Sequence, residues 1–505
     1  MHLASLVEMV ESGFDERVLL GASDAPVTGK QFGELVRRGA FTLGTSKALV
    51  YVGENHPLLP IALFSAAWAG IPFVPVNYRL EEHQLNSLVA RQPGALVLAD
   101  RATAPRITGD ATVMVFDDWL AGLPADPPAV DPPFDDDDDI AVIVYTSGTT
   151  SEPKSALLRH RHLMAYLLGS VEFGGAGEDD AVLVTVPPYH IAGVANILSN
   201  TFAGRRLVYL RAFDPKEWLD TIRDVGVTNA MVVPTMLAQI VDYLGGEIAD
   251  VPTLTTLSYG GAKVSERVLR EALRLFPNTG FVNAYGLTET ASTIAVLGPE
   301  DHRAAIESDD PAIMRRLSSA GQLLPMVEIE VRNEDDQPVP PGEMGMIHLR
   351  GEQIAGEYAT GSLLDADGWF CTRDRGFVDS DGYLFIEGRA DDTIIRGGEN
   401  IAPAEIEEVL LAHPAVAGAC VVGLADEEWG QRIGAVVVLR DGARATADEL
   451  KDAVRAALRG SKTPETILFR TELPHTETGK LLRRVVVQDL ADSQGPPPAQ
   501  GSTSS

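Results

Sequence analysis

Gly148, four residues and then Pro153-Lys154-Ser155 fall one residue short of the G-x-x-x-x-G-K-[ST] phosphate-binding pattern. Pro153 stands where the second glycine would be. It has no backbone N–H and cannot take a positive φ, so a cradle of successive backbone amides cannot form there in the usual way. The stretch offers hydroxyls instead: Thr146, Ser147, Thr149 and Thr150 around a permissive Gly148, with Lys154 close by. Several hydroxyl donors and one ammonium can hold the flexible tail of a nucleoside triphosphate. The alternative reading is a polar turn between a strand and a helix.

At 505 residues the chain is too long for one core, so two or more domains are expected. Its formal net charge of −31 argues against non-specific nucleic-acid binding, and it requires local donors for any anionic substrate. The only cysteines, Cys371 and Cys420, give neither metal-ligand spacing nor a disulfide framework, which fits a reducing cytoplasm. The first residues are acidic and lack a basic n-region, so no signal peptide is expected. From His56 to Tyr78 there is no charged residue, but Pro60, Gly70, Pro72 and Pro75 interrupt the run. A span needs about 20 residues of continuous apolar helix. The run therefore reads as a buried helix over 59–69 and a strand over 71–76, with no transmembrane segment.

The elements that must position the hydroxyl-rich turn follow from apolar periodicity. "ALVYVG" (48–53), "GALVLAD", "AVIVYTS", "AVLVTVPP" and "NAMVVP" read as buried strands, and "EEHQLNSLVARQ" and residues 157–173 as helices. Such alternation predicts an α/β fold with helix-covered, mainly parallel sheets. The run Asp135 to Asp139 reads as a solvated loop before a buried strand. After about residue 388 comes a helix, "PAEIEEVLLAHP", then strands "AGACVVGL" and "GAVVVLR", then the helix "DELKDAVRAALRG". The expected organisation is a large domain of several subdomains over 1–388, a small α/β domain over 389–490 and a disordered tail over 491–505.

With these elements in place, "YTSGTTSEPKS" resembles the signature loop of the adenylate-forming superfamily, the acyl-CoA synthetases, luciferases and peptide-synthetase adenylation domains. Further blocks match in the family's order: "YGGAKVS" (259–265), "NAYGLTET" (283–290), "GWFCTRDRG" (368–376), "GRADDTIIRGGENIAPAEIEE" (388–408) and "HTETGKLLRR" (475–484). The resemblance implies a mobile small domain and a reaction in which carboxylate and ATP give acyl-adenylate, which then passes its acyl group to a thiol. Anion must meet anion, so the task is positioning and charge cancellation.

The residues that the resemblance implies are these. Lys480 bridges carboxylate and α-phosphate. Glu289, beside Thr288, is the carboxylate associated with Mg2+; that ion keeps several waters, so one protein carboxylate suffices. Asp374 accepts from both ribose hydroxyls, and Arg389 donates to ribose or phosphate. Gly261, Ala262 and Lys263 run along the adenine, and Tyr285, within Asn283-Ala284-Tyr285-Gly286, stacks on it. His190 in "PPYHIAG" lies near the substrate carboxylate, and no aspartate there suits an α-amino group. Asp391 is the hinge of the small domain. Gly397, Gly398 and Glu399 resemble the loop that presents coenzyme A, with Trp429 flanking the pantetheine channel.

Three positions depart from the family's glycines: Ser151, Ser155 and Arg373, the last directly before Asp374. A cation at 373 points outward, adds a phosphate contact or fills the ribose site. The implied function is an acyl-CoA synthetase using ATP, Mg2+ and coenzyme A on a small-molecule carboxylic acid, with a fatty acid as the first expectation. One alternative is an acyl-AMP ligase loading a carrier protein. Another is a degenerate nucleotide- or acyl-binding protein without turnover. A homodimer is a further expectation.

Overall fold

The computed structural model describes residues 1–21, 26–146, 153–426, 429–458, 460–475 and 481–493. Strands Leu49–Val52, Phe73–Val76 and Leu96–Ala99 are wholly buried, as their unbroken apolar sequences require. They pair in parallel, and Phe73 registers with Val142 of the strand Ile140–Thr146. The helix Leu58–Trp68 packs here with every residue buried, which accounts for the absence of charge from 56 to 78. Among the described residues no helix is long and apolar enough to cross a membrane.

The helix expected over 157–173 begins only at His160 and ends at Ser170. Residues Lys154–Arg159 form a strand that pairs antiparallel with Ile140–Thr146. Ala156 and Leu158 are buried while their neighbours are not. That period of two belongs to a strand with one face on the core.

The second, larger sheet orders the strands Arg206–Tyr209, Ala181–Val184, Asn229–Val232, Thr256–Gly260 and Gly280–Leu287 in parallel. From Ser292–Leu297 onward its pairs are antiparallel. The expectation of mainly parallel sheets thus holds for the first part of the chain and is corrected for 292–389. Tight turns such as Asp379–Gly382, closed by a 3.1 Å backbone hydrogen bond, return the chain directly to its neighbour. A connection that short permits only antiparallel pairing.

The small domain has its own core of Ile394, Ile401, Ile406, Leu410, Val421, Ile433, Val437 and Leu450. Helices Pro403–Ala412 and Ala447–Ala457 cover the sheet of Val416–Asp426, Gly430–Leu439 and Thr466–Arg470, as the sequence predicts. Arg483 clips the last helix, Arg483–Asp492, to Glu407 at 2.6 Å and to the Val421 carbonyl at 2.6 Å. This helix runs two residues into the segment expected to be tail; residues 494–505 lie outside the described residues.

Three buried histidines make the fold acid-sensitive. His2 and His160 stack with centroids 3.5 Å apart, and His162 lies in the same helix as His160. Each accepts a backbone N–H at Nδ1, from Ala4, Leu3 and Arg159 respectively. Protonation would turn those acceptors into donors. Burial lowers the pKa to about 4, 3 and 4 in the same order. Because the unfolded chain takes up protons near 6.5 and the native chain does not, this stability is complete above pH 6.5 and is lost as pH falls toward 4. The slope is roughly 1 kcal/mol per pH unit for each histidine. We expect Tm to fall between pH 7.5 and 5.5, and His160→Gln to narrow that difference; a Tm flat over this interval contradicts the assignment.

Candidate active site

Thr146 ends its strand just before the hydroxyl-rich turn. Ser147, Gly148, Thr149, Thr150 and Ser151 lie outside the described residues, as does Lys480. What is described at the edge of the turn is a chain of hydroxyls and a carboxylate. Thr146 Oγ1 lies 3.3 Å from the Tyr358 hydroxyl, which donates to Glu289 Oε1. Burial, and the Glu289 charge beside it, push the Tyr358 phenol up, so it stays a donor. Lys154 is exposed, its Nζ 6.0 Å from the Tyr358 ring centroid. Ser155 is a strand residue opposite Tyr145, and its carbonyl accepts from Ala359 N at 3.0 Å, so serine is tolerated there.

Glu289 sits in the short turn Thr288–Thr290, between the strands Gly280–Leu287 and Ser292–Leu297. Thr290 Oγ1 accepts from Leu287 N at 2.9 Å, Gly356 N donates to the Glu289 carbonyl at 2.9 Å, and Gln353 Nε2 donates to the Thr290 carbonyl at 3.1 Å. Ala291 (φ 52°) and Ser292 (φ 105°) follow with backbone that L-residues seldom adopt. Such strain persists only where the surroundings enforce it. At Gly286 a Cβ would fall 1.8 Å from the Ser292 carbonyl oxygen, so only glycine lets the strands close behind Glu289. A single carboxylate fixed this way fits Mg2+ that also binds phosphate oxygens and water.

The second cluster centres on Asp374, buried within the strand Phe370–Val378. Tyr285 OH donates to its Oδ2 at 2.5 Å, and Arg389 Nε lies 3.1 Å from its Oδ1. Asp374 and Arg389 register directly across two antiparallel strands. Arg389 also donates to the Thr372 carbonyl at 2.7 Å. Burial, then the Asp374 charge, drives the Tyr285 phenol well up, so it too stays protonated.

Neighbouring strand residues face opposite ways, and with Asp374 inward Arg373 is mostly exposed, its guanidinium 3.4 Å from Asp391. Its φ is 63°, which suits glycine. Arg373→Gly should stabilise the protein by about 1 kcal/mol, because the strain outweighs an exposed ion pair. A lower Tm in the variant would refute this balance.

The strand Thr256–Gly260 delivers Gly261 at φ 88° with open space where a Cβ would be, followed by Ala262. Lys263 pairs with Glu408 of the small domain, so its ammonium is committed across the domain boundary. Asn283 Nδ2 donates to the Ser319 carbonyl at 3.1 Å, and Ala284 registers with Gly260. His190 caps the helix Ile191–Ala203, packed on Tyr189 at 4.7 Å. Burial lowers its pKa to about 4, so near neutrality it offers a hydrogen bond and no charge. Asp391 lies in the turn Ala390–Asp392 that follows the strand carrying Arg389.

On the small domain, Gly397 (φ 56°) and Gly398 (φ 84°) turn between strands Ile394–Arg396 and Glu399–Ile401. Gly397 N donates to the Trp429 carbonyl at 2.8 Å, and the indole lies against Gly397. The structure thus gathers Thr146 with Glu289, Tyr285 with Asp374 and Arg389, and Gly397 with Trp429. Tyr358 was missed by sequence reasoning: nothing in "GEYATG" marks a tyrosine that bridges residues 212 and 69 positions away.

Comparison with known proteins gives a family and its members. The family model described as AMP-binding enzyme matches residues 15–359, and that of the AMP-binding enzyme C-terminal domain matches 405–480. Feruloyl-CoA synthase of Amycolatopsis sp is 33% identical over 86% of this chain and 87% of its own length. A fatty acid–[acyl-carrier-protein] ligase of Streptomyces coeruleorubidus is 34% identical over 88% and 86%. The structure of o-succinylbenzoate CoA synthetase from Bacillus subtilis, in complex with its acyl-adenylate intermediate, superposes with a TM-score of 0.83 at 27% identity, covering 95% of this chain and 97% of that one.

Proposed function

This chain belongs to the AMP-binding enzyme family, and on that premise we propose how it carries out acid–thiol ligation. It is an AMP-forming acid–thiol ligase acting with ATP, Mg2+ and coenzyme A, and its activity is that of an acyl- or aryl-CoA ligase. The acid is a small carboxylic acid. The related enzymes carry names from feruloyl to fatty acid, so the fatty acid expected first from sequence widens to either kind.

The observation that carries the residue roles is the fixed pair of carboxylates with their donors. Asp374, held by Tyr285 and Arg389, takes the ribose, while Glu289, held by Tyr358, faces the phosphates with Mg2+. Thr146 and the turn after it bind the triphosphate. His190 donates to the acid without adding charge. Lys480 supplies the positive charge that lets carboxylate approach α-phosphate. The small domain then turns about Asp391 and brings Gly397, Gly398 and Glu399, backed by Trp429, to guide coenzyme A to the acyl-adenylate.

The test is a panel of aliphatic and aryl acids with ATP, Mg2+ and coenzyme A, read as AMP and acyl-CoA. Equal amounts of both support the reading. Acyl-AMP that accumulates with coenzyme A and discharges only onto a carrier-protein phosphopantetheine favours the second reading, which the carrier-protein relative motivates. Absence of acid-dependent pyrophosphate exchange would leave a binding protein without turnover. The pairing of Arg373 with Asp391 supports a ribose site left open beside Asp374.

A further inference from the structure

The boundary between the large and the small domain carries two ion pairs that lie outside both cores. Glu407 and Glu408 are neighbours in the helix Pro403–Ala412, about 100° apart round its axis. Glu407 is committed inside the small domain, accepting from Val421 N at 2.8 Å and from Arg483 at 2.6 Å. Glu408 is exposed and pairs with Lys263 of the large domain, in the segment between the strand Thr256–Gly260 and the helix Glu266–Leu275.

The second pair is Arg373 with Asp391, at 3.4 Å. The Arg373 backbone, at φ 63°, holds a conformation that suits glycine, and the strain outweighs what an exposed ion pair returns in stability. Strain kept without a gain in stability points to a role in function. Both cations adjoin segments assigned to the nucleotide: Lys263 follows Ala262, and Arg373 precedes Asp374. The same boundary carries an opposing contact. Arg267, near the start of the helix Glu266–Leu275, lies close enough to Arg440 of the small domain that this charge, after burial, lowers its pKa. Attraction at two points against repulsion at a third gives a fastening that can open. All four paired side chains are exposed, and one exposed pair shifts an equilibrium by about fivefold at most. That is slight for stability but decisive between two arrangements of similar population.

We propose that Lys263–Glu408 and Arg373–Asp391 are positioning pairs that hold the small domain in the arrangement of this structure and part when it turns from one half-reaction to the other. This rests on the reading in which the small domain turns about Asp391. In that reading Lys480 and the turn Gly397-Gly398 approach the nucleotide in different arrangements. A bias toward one arrangement therefore speeds one half-reaction at the expense of the other.

The experiment measures, in the full chain, acid-dependent ATP–pyrophosphate exchange and, separately, thioester formation from supplied acyl-adenylate and coenzyme A. Glu408→Gln and Arg373→Gly should each move the two rates in opposite directions, changing their ratio by about two- to fivefold. Arg373→Gly is expected to be more stable than the wild type, so loss of fold cannot mimic this result. Lys263→Glu should shift the ratio in the same sense as Glu408→Gln, and joining it to Glu408→Lys should bring the ratio back toward the wild type. Added salt should move the wild type in the direction of the variants. A ratio unchanged in either single variant removes that pair from the role. Two rates that fall together, or a charge swap that restores nothing, overturns the proposal. If no acid is turned over the ligase reading fails, and the interdomain distance distribution, read by paired spin labels with ATP present, still decides this one. It should broaden in Glu408→Gln; a distribution unchanged from the wild type overturns the proposal.

Discussion

Lys480→Ala should lower acid-dependent ATP–pyrophosphate exchange by about 100- to 1,000-fold, the usual loss when one preorganised charge partner of a transition state is removed. The reasoning is electrostatic. Before bond formation a carboxylate and a triphosphate stand against each other in a protein whose own net charge is −31, so an unshielded encounter is repelled at every distance. In the proposed role the cation acts only while that repulsion lasts. Thioester formation from supplied acyl-adenylate and coenzyme A should therefore stay within a few-fold of the wild type. The family match to the small domain extends to residue 480, the position this role needs. Exchange within threefold of the wild type would remove Lys480 from the chemistry.

Asp374→Asn should weaken both half-reactions, and this contrast separates binding from charge cancellation. In the proposed site the carboxylate holds the nucleoside, which is common to ATP and to the acyl-adenylate. Loss of charged hydrogen bonds of this kind typically amounts to about 1.5–3 kcal/mol, or roughly 10- to 100-fold in KM for ATP. There is a structural penalty too, because Asp374 is buried with Arg389 3.1 Å away, and the neutral amide leaves that guanidinium without its counter-charge. Tm should fall alongside affinity. A variant with unchanged KM for ATP and unchanged use of acyl-adenylate would exclude Asp374 from the nucleotide site.

The sequence by itself determined the elements and the reaction class. Apolar runs such as 49–52 and 73–76 are buried because nothing polar interrupts them, and Thr146 ends such a run as a strand. The resemblance also named Glu289, Gly397 and Trp429, while the contact of Gly397 with Trp429 came only from the folded small domain. Residues 157–159 were misread because a half-buried strand leading straight into a helix leaves too few residues to show its period.

Only the tertiary structure decided who meets whom. Tyr358 joins Thr146 to Glu289, and Tyr285 reaches Asp374, 89 residues away, through the register of strands that lie apart in the chain. Arg373 faces Asp391 because Asp374 takes the inward side of a pleated strand. Periodicity and turn chemistry act over a few residues, whereas a hydrogen bond between distant strands depends on a register that no local stretch encodes.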